Sequence, residues 1–366
     1  KMLGTVPLVT SRYRCPDVIA QIANDLEQPR TFKERHSLNI ADAHKYGLSY
    51  DDLDDGNLYW SIQDYVHPAI MGLAERLHWT YGIRLHEDYQ SLYSRLYQWQ
   101  IDEYGEIVDA EMECHAMTEV HIQTYRTPDY MLSAAQDFRA GKPGYQQHPW
   151  QATLGIDAVV FTNHPGSDDE RARPNFWAGN GILPRIAQHE NVLVCMHHVP
   201  QNDPFPFSHA YFPRDAFDQI IEHDNWIFAQ KDEGYIALYS QHAITWHEDQ
   251  HNANHPINEA RASSADNVWV VEMGTAQQWG NFDNFVQAIR TASITTDGLS
   301  VAYNSPSIGA VAFGWRTDFT VQDEAIALHN YPRFDNPYCQ ADFDAKVYNI
   351  TFGDMSHTLD FRPASQ

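Results

Sequence analysis

The stretch NWIFAQKDEGYIALYS, residues 225–240, decides the fold. Two runs of aromatic, β-branched and small apolar residues, 225–231 and 234–241, flank Asp-Glu-Gly. That pattern predicts a β-hairpin, because side chains of alternating direction suit a pleated strand and Gly and Asp suit the reversal between them. The same short, apolar, turn-bounded runs recur on both sides of it. They are EVHIQTY (119–125), YMLSAAQDF (130–138), NVLVCMHHV (191–199), NVWVVEMG (267–274), LSVAYNS (299–305), IGAVAFGW (308–315), AIALHN (325–330) and KVYNITF (346–352). Together they predict one large antiparallel β-sandwich over residues 101–366. One helix interrupts it at 281–292, with Asn281 as its cap and Phe282, Phe285, Val286 and Ile289 turned inward. The polar run 247–267, which holds His247, His251 and His255, reads as a loop.

Residues 1–100 have a different period. In PDVIAQIANDLEQP, Pro16 suits a helix start, and Val18, Ile19, Ile22 and Leu26 fall on one face. A second helical stripe runs through 57–83, with a break expected at Pro68. The fold class is therefore α+β: a helical segment to about residue 100, then the sandwich. So few helices make half a layer, so their apolar faces are expected to pack on each other, on the rest of the chain, or on helices upstream of Lys1; other chains are a further candidate.

Composition narrows the partners. The 366 residues carry 49 acidic and 24 basic side chains, a formal net charge of −25. A field of that sign repels nucleic acid and anionic membrane surfaces. No apolar run reaches the length of a spanning helix, so no membrane insertion is expected. Cys15, Cys114, Cys195 and Cys339 are far apart and form no CxxC pair, which leaves the redox compartment open. Phosphate-cradle and GxSxG nucleophile-elbow motifs are absent.

Helices followed by many strands, with DNWIFAQKDEGYIALYS near the middle and LDF at 359–361, resemble the carboxy-terminal part of polysaccharide lyases of the heparinase II/III and chondroitin AC lyase type. The resemblance covers about residues 50–366 and is one of architecture. It implies a remnant of an (α/α) toroid ahead of the β-sandwich, and cleavage of a uronate-containing polysaccharide by β-elimination. It also implies a secreted or periplasmic location, and toroid helices supplied from elsewhere.

Such a reaction needs a cation or amide to neutralise the uronate carboxylate, a base for the C5 proton and an acid for the departing oxygen. The segment TNHPGSDDERARPNFWAGNG, residues 162–181, is a loop by its prolines and glycines. It offers His164, Arg171, Arg173 and Asn175 for that chemistry, with Trp177 as a flat surface for a sugar. Arg173 and Asn175 are expected to face the helical layer, and Asp168, Asp169 and Glu170 to face solvent. The stretch 125–155 adds Tyr130 and His148 as proton-transfer candidates, and Arg139, Tyr145 and Trp150 as substrate contacts. Tyr331 and Arg333 could line a saccharide groove or simply close a turn. On an extended ECHAMTEVH (113–121), Glu113, His115, Glu119 and His121 share one face. β-Elimination requires no cofactor, but Glu113, His115 and His121 are the set that a divalent zinc, manganese or calcium ion would use. Two other readings stay open: a non-catalytic carbohydrate-binding or assembly module, and a glycoside hydrolase.

Overall fold

A computed structural model describes residues 14–48, 76, 79–80, 100–101, 107–108, 118–144, 146–169, 171–172, 174–247 and 258–363. The expected helix at the start is α1 (Asp17–Ala23), and the next element is β1 (Arg30–His36). Then come β2 (Val120–Arg126), β3 (Met131–Gln136), β4 (Trp150–Thr153), β5 (Val159–Asn163), β6 (Arg185–His189) and β7 (Val192–His198). The middle of the chain forms β8 (Ser208–Tyr211), β9 (Gln219–His223), β10 (Trp226–Lys231), β11 (Gly234–Ser240), β12 (Ile244–His247), β13 (Glu259–Ala262) and β14 (Asp266–Thr275). Helix α2 (Phe282–Thr291) leads to β15 (Ile294–Thr296), β16 (Ser300–Ser305), β17 (Gly309–Gly314), β18 (Thr317–Val321) and β19 (Glu324–Ala325). The chain closes with β20 (Phe334–Asn336), β21 (Cys339–Ala341), β22 (Val347–Phe352) and β23 (Met355–Asp360).

Every pairing among these strands is antiparallel. The ten-stranded sheet runs β12-β13-β8-β5-β4-β3-β2-β1-β20-β21, the six-stranded sheet β9-β10-β11-β14-β7-β6, and the five-stranded sheet β15-β16-β17-β18-β19. Strands β22 and β23 form a separate hairpin. The expected sandwich gains a third layer, because the six-stranded sheet is buried on both faces. One face meets the large sheet, where Leu132, Trp150, Val160 and Ala210 pack on Leu193, Ile236, Leu238, Trp269 and Val271. The other meets α2 and the five-stranded sheet, where Val194, Phe228, Tyr235 and Val270 pack on Phe285, Ile289, Tyr303, Phe313 and Phe319. A strand buried on both sides needs apolar residues at successive positions, which is why VLVC and VWVV run unbroken. The one acid in that run, Glu272, is fully buried and accepts from Tyr303 Oη (2.5 Å) and Ser307 Oγ (2.6 Å), tying the third layer to the second. Burial still raises its pKa.

The hairpin forms as expected, with a tighter connection. Lys231 pairs with Gly234, so Asp232 and Glu233 make the turn, and Asp232 takes the left-handed backbone at φ 50°. Gly234 belongs to the next strand. A Cβ there would lie 2.6 Å from the Asp129 carbonyl oxygen, so close approach to the β2–β3 turn requires the glycine. Helix α2 is capped as expected, the Asn281 side chain accepting from Asn284 N at 2.9 Å.

Three expectations need correction. Part of the segment assigned to helices is strand: Arg30–His36 lies inside the ten-stranded sheet, in register with Val120–Arg126. RTFKERH alternates too weakly for a strand period to show, because every side chain in it is half-buried. Within the presumed loop 247–267, Glu259–Ala262 is a strand between β8 and β12, its alanines packed into the core. Of the run at 325–330 only Ala325 pairs in a sheet, next to Glu324, after which the chain leaves so that Leu328 can enter the second core. The helical stripe at 57–83 lies outside the described residues apart from Arg76, Trp79 and Thr80, which are helical. The toroid-like layer is not shown. No helix among the described residues is long and apolar enough to cross a membrane.

Candidate functional site

Neighbouring strands β5, β8 and β13 create the site by simple alternation. Val160, Thr162, Ser208, Ala210, Ala260 and Ala262 face the six-stranded sheet, where Trp269 Nε1 donates to Ser208 Oγ at 2.9 Å. Their neighbours Phe161, Asn163, His209, Tyr211, Glu259 and Arg261 therefore face outward, brought side by side by the register His209↔Asn163, His209↔Arg261 and Tyr211↔Phe161.

The loop that follows β5 is fastened over this outer face. Asn163 Nδ2 donates to the carbonyls of Phe176 (3.1 Å) and Gly179 (3.0 Å), and Asn180 bridges His164 N and the Gln147 carbonyl. His164 is fully buried; its Nδ1 accepts from Ile182 N at 2.9 Å, so Nε2 carries the proton and donates to the Phe205 carbonyl at 2.9 Å. Both ring nitrogens are thus engaged in closing the loop. Gly166 and Gly181 pass so closely that a Cβ on Gly181 would lie 2.8 Å from the Gly166 Cα and from the His164 ring. Asn175 Oδ1 accepts from Trp177 N and Ala178 N, shaping the turn that presents Trp177.

Trp177 lies flat on His209, centroids 4.2 Å apart and planes 8° from parallel. Phe161 stacks on Tyr211 at 5.4 Å, and Trp177 stands edge-on to both. The ring of exposed His148 meets the Phe161 edge at 4.8 Å, and its Nε2 accepts from Gly179 N, leaving the proton on Nδ1. Beneath the tryptophan, His209 Nδ1 faces Glu259 Oε1 at 3.0 Å, and the same oxygen takes Arg261 Nε at 2.7 Å. Arg261 in turn lies over the Phe207 ring at 4.1 Å. His209 Nε2 faces the Phe176 carbonyl at 3.1 Å, so both ring nitrogens meet acceptors, an arrangement that the imidazolium satisfies. Burial opposes this and pulls the His209 pKa below its ordinary value. Burial also works to raise Glu259, but the hydrogen bonds from His209 and Arg261 outweigh it, and the carboxylate stays ionised.

The structure gathers His148, Trp177, Asn175 and His164 at this site and separates the other candidates. Arg171 points to solvent, its side chain 91% exposed and paired with Asp169 at 3.1 Å. Asp168 and Asp169 are exposed, as expected. Trp150 lies under the same strands on the core side, its Nε1 bonded to Thr162 Oγ1 at 2.9 Å, and Tyr130 is buried in that core with its pKa pushed well up by desolvation. Neither can touch a ligand on the outer face without the sheet opening. Arg139 follows β3 in a left-handed turn at φ 49°. Tyr331 and Arg333 belong to the far end of the sheet, where Arg333 leads into β20, five strand spacings or about 24 Å from β5. There Tyr331 Oη donates to the Ala327 carbonyl, and Arg333 to the Arg35 carbonyl and His36 Nδ1.

His121 lies at that end too. Its Nε2 is 2.5 Å from Glu119 Oε1, and its Nδ1 accepts from Tyr331 N, so neither nitrogen is open to a metal in this arrangement. Glu113, His115, Tyr145, Glu170 and Arg173 lie outside the described residues. Among the described residues no group of His, Cys, Asp and Glu is arranged to hold a metal ion. The residues that sequence reasoning does not single out are Phe161, His209, Tyr211, Glu259 and Arg261. Their signal is the outward pair in each of SHAY and EARA, polar or aromatic residues alternating with small ones that pack in the core.

Comparison with protein-family models, curated proteins and solved structures finds no match.

Proposed function

We propose that the outer face of the ten-stranded sheet binds an acidic saccharide, and that the protein is a polysaccharide lyase acting there by β-elimination. The observation that carries this reading is one surface holding a half-buried indole, a phenol and a guanidinium: Trp177 stacked on His209, Tyr211 beside it, and Arg261 on the adjacent strand. A tryptophan face suits the C–H face of a sugar ring, and Arg261 has nitrogens beyond the Nε held by Glu259 with which to meet a uronate carboxylate. In the reaction, Tyr211 acting as the phenolate takes the C5 proton, the electron pair of that C–H bond forms the C4–C5 double bond, and the C4–O bond breaks. The departing oxygen takes a proton, which the same phenol can return. His148 Nδ1–H and the rigid loop orient the ring.

The test is incubation of the full chain with a panel of uronate polymers, reading the ultraviolet absorbance of the unsaturated product and, separately, binding. Turnover that Tyr211→Phe abolishes while binding persists supports the lyase. Binding that depends on Trp177 without any product turns the reading to a non-catalytic module. Reducing ends released without new absorbance indicate a hydrolase, and absence of both binding and product across the panel overturns the assignment of the site.

A further inference from the structure

The opposite end of the same sheet carries a groove of about 660 Å³. Ile19 and Ile22 of α1 and Phe32 of β1 form one wall, and Tyr348, Ile350 and Leu359 of the terminal hairpin form the other. The volume falls within that of small-molecule sites, on the order of 300–1,000 Å³, and the groove is open to solvent along one side. Edge-on contacts at 5.7 Å between Phe334 and Tyr348, and at 5.8 Å between Tyr348 and Phe361, hold the hairpin wall in place. At the lip, Leu359 and Phe361 remain 38% and 64% exposed. Apolar side chains left in water beside an apolar groove favour an occupant that covers them.

The charges at the groove select the occupant. Arg333 donates to His36 Nδ1 at 2.8 Å, and His36 Nε2 donates to Glu34 Oε2 at 2.6 Å, so this cation and this anion are joined through a neutral imidazole and cancel. The nearby Asp25 carboxylate is taken by Tyr338 and Arg30. Lys346, which also lines the groove, is exposed, and no carboxylate among the described residues pairs with it. The uncompensated charge is therefore positive, in a chain whose net charge is −25. A sugar would leave its hydroxyls facing isoleucine and phenylalanine, which offer no hydrogen bonds, whereas a cationic amphiphile would meet Lys346.

We propose that this groove is a binding site for a small amphipathic carboxylate, its apolar body between α1 and the hairpin and its carboxylate on Lys346. The site is independent of the saccharide reading and lies at the other end of the sheet.

The test titrates the full chain with dodecanoate below its micellar range by calorimetry, with dodecyltrimethylammonium as the ligand of opposite charge. Saturable one-to-one binding is expected, with Kd on the order of 10–100 μM for a ligand of this size. Lys346→Glu should weaken dodecanoate by about tenfold or more and favour the cationic ligand, as reversal of a charge at the headgroup requires. Leu359→Arg, at an already exposed position, should abolish binding of both. The proposal is overturned if wild type shows no saturable binding, or if Lys346→Glu binds dodecanoate as well as wild type does. It is also overturned if sedimentation shows a dimer that Leu359→Arg dissociates, because a second copy of the chain would then be what covers the groove.

Discussion

His197 sits between the two larger sheets with 1% of its surface exposed, and acidification should act on it directly. Its Nε2 reaches Thr162 Oγ1 at 3.2 Å and Cys195 Sγ at 3.6 Å, and among the described residues no hydrogen-bond partner reaches its Nδ1. Burial holds its pKa well below the ordinary value, and the nearby imidazoles of His164 and His209 depress it further. A histidine with a depressed folded pKa contributes stability that is present above the unfolded pKa of about 6.5 and is lost as pH falls towards the folded value, because the unfolded chain binds the proton first. For a side chain still neutral at pH 5, the loss between pH 7 and pH 5 is about 2 kcal/mol. Urea unfolding at both pH values, followed by tryptophan emission, reads the loss in the core where Trp150 and Trp269 are buried. His197→Gln cannot titrate there. Whatever its stability at pH 7, its stability relative to wild type should rise by about 2 kcal/mol on going to pH 5. His121 and His209, whose pKa values burial also lowers, remain in both proteins and cancel in the comparison. A wild-type-minus-variant difference that is the same at both pH values would refute the claim that His197 is held neutral.

Gly181→Ala should destabilise by about 1–3 kcal/mol, since its Cβ would collide with the Gly166 backbone and the His164 ring; proteolysis within 162–181 that is no faster than in wild type would count against this. Glu259→Gln breaks the buried bridge between His209 and Arg261 and should cost about 3 kcal/mol or somewhat more in urea unfolding, with Gln tolerated at wild-type stability as the contrary outcome. Arg171→Ala should change stability by no more than about 0.5 kcal/mol and leave saccharide binding intact, because the side chain is in solvent beside Asp169; a binding loss measured by affinity electrophoresis would show that the arginine reaches the ligand. Phe285→Ala, under the six-stranded sheet, should cost about 3–5 kcal/mol of unfolding free energy, and a loss under about 1 kcal/mol would mean that α2 is not part of the core.

The sequence by itself determined the local order of the β region. Short apolar, β-branched or aromatic runs bounded by turn residues mark the hairpin at 226–240 and the strands at 120–126, 192–198 and 266–275, and a cap with a helical stripe marks the helix at 282–291, because side-chain direction and backbone preference are properties of neighbouring residues. It also marked 162–181 as an irregular segment, and within it Trp177, Asn175 and His164. The tertiary structure alone decided what these residues meet. Unbroken apolar runs such as VLVC show that a strand is buried on both sides, but not that a third sheet and a helix supply the second cover. His209, Glu259 and Phe161 come from three strands separated by stretches of chain of different lengths, and only the register of β5, β8 and β13 makes them neighbours. Trp150 and Trp177 look equally suited to a sugar in the sequence; one faces the core and the other the outer surface. Sheet pairing joins residues far apart in the chain, and a strand's two faces differ by a single residue, so the sequence names the chemistry available while the pairing selects which of it converges.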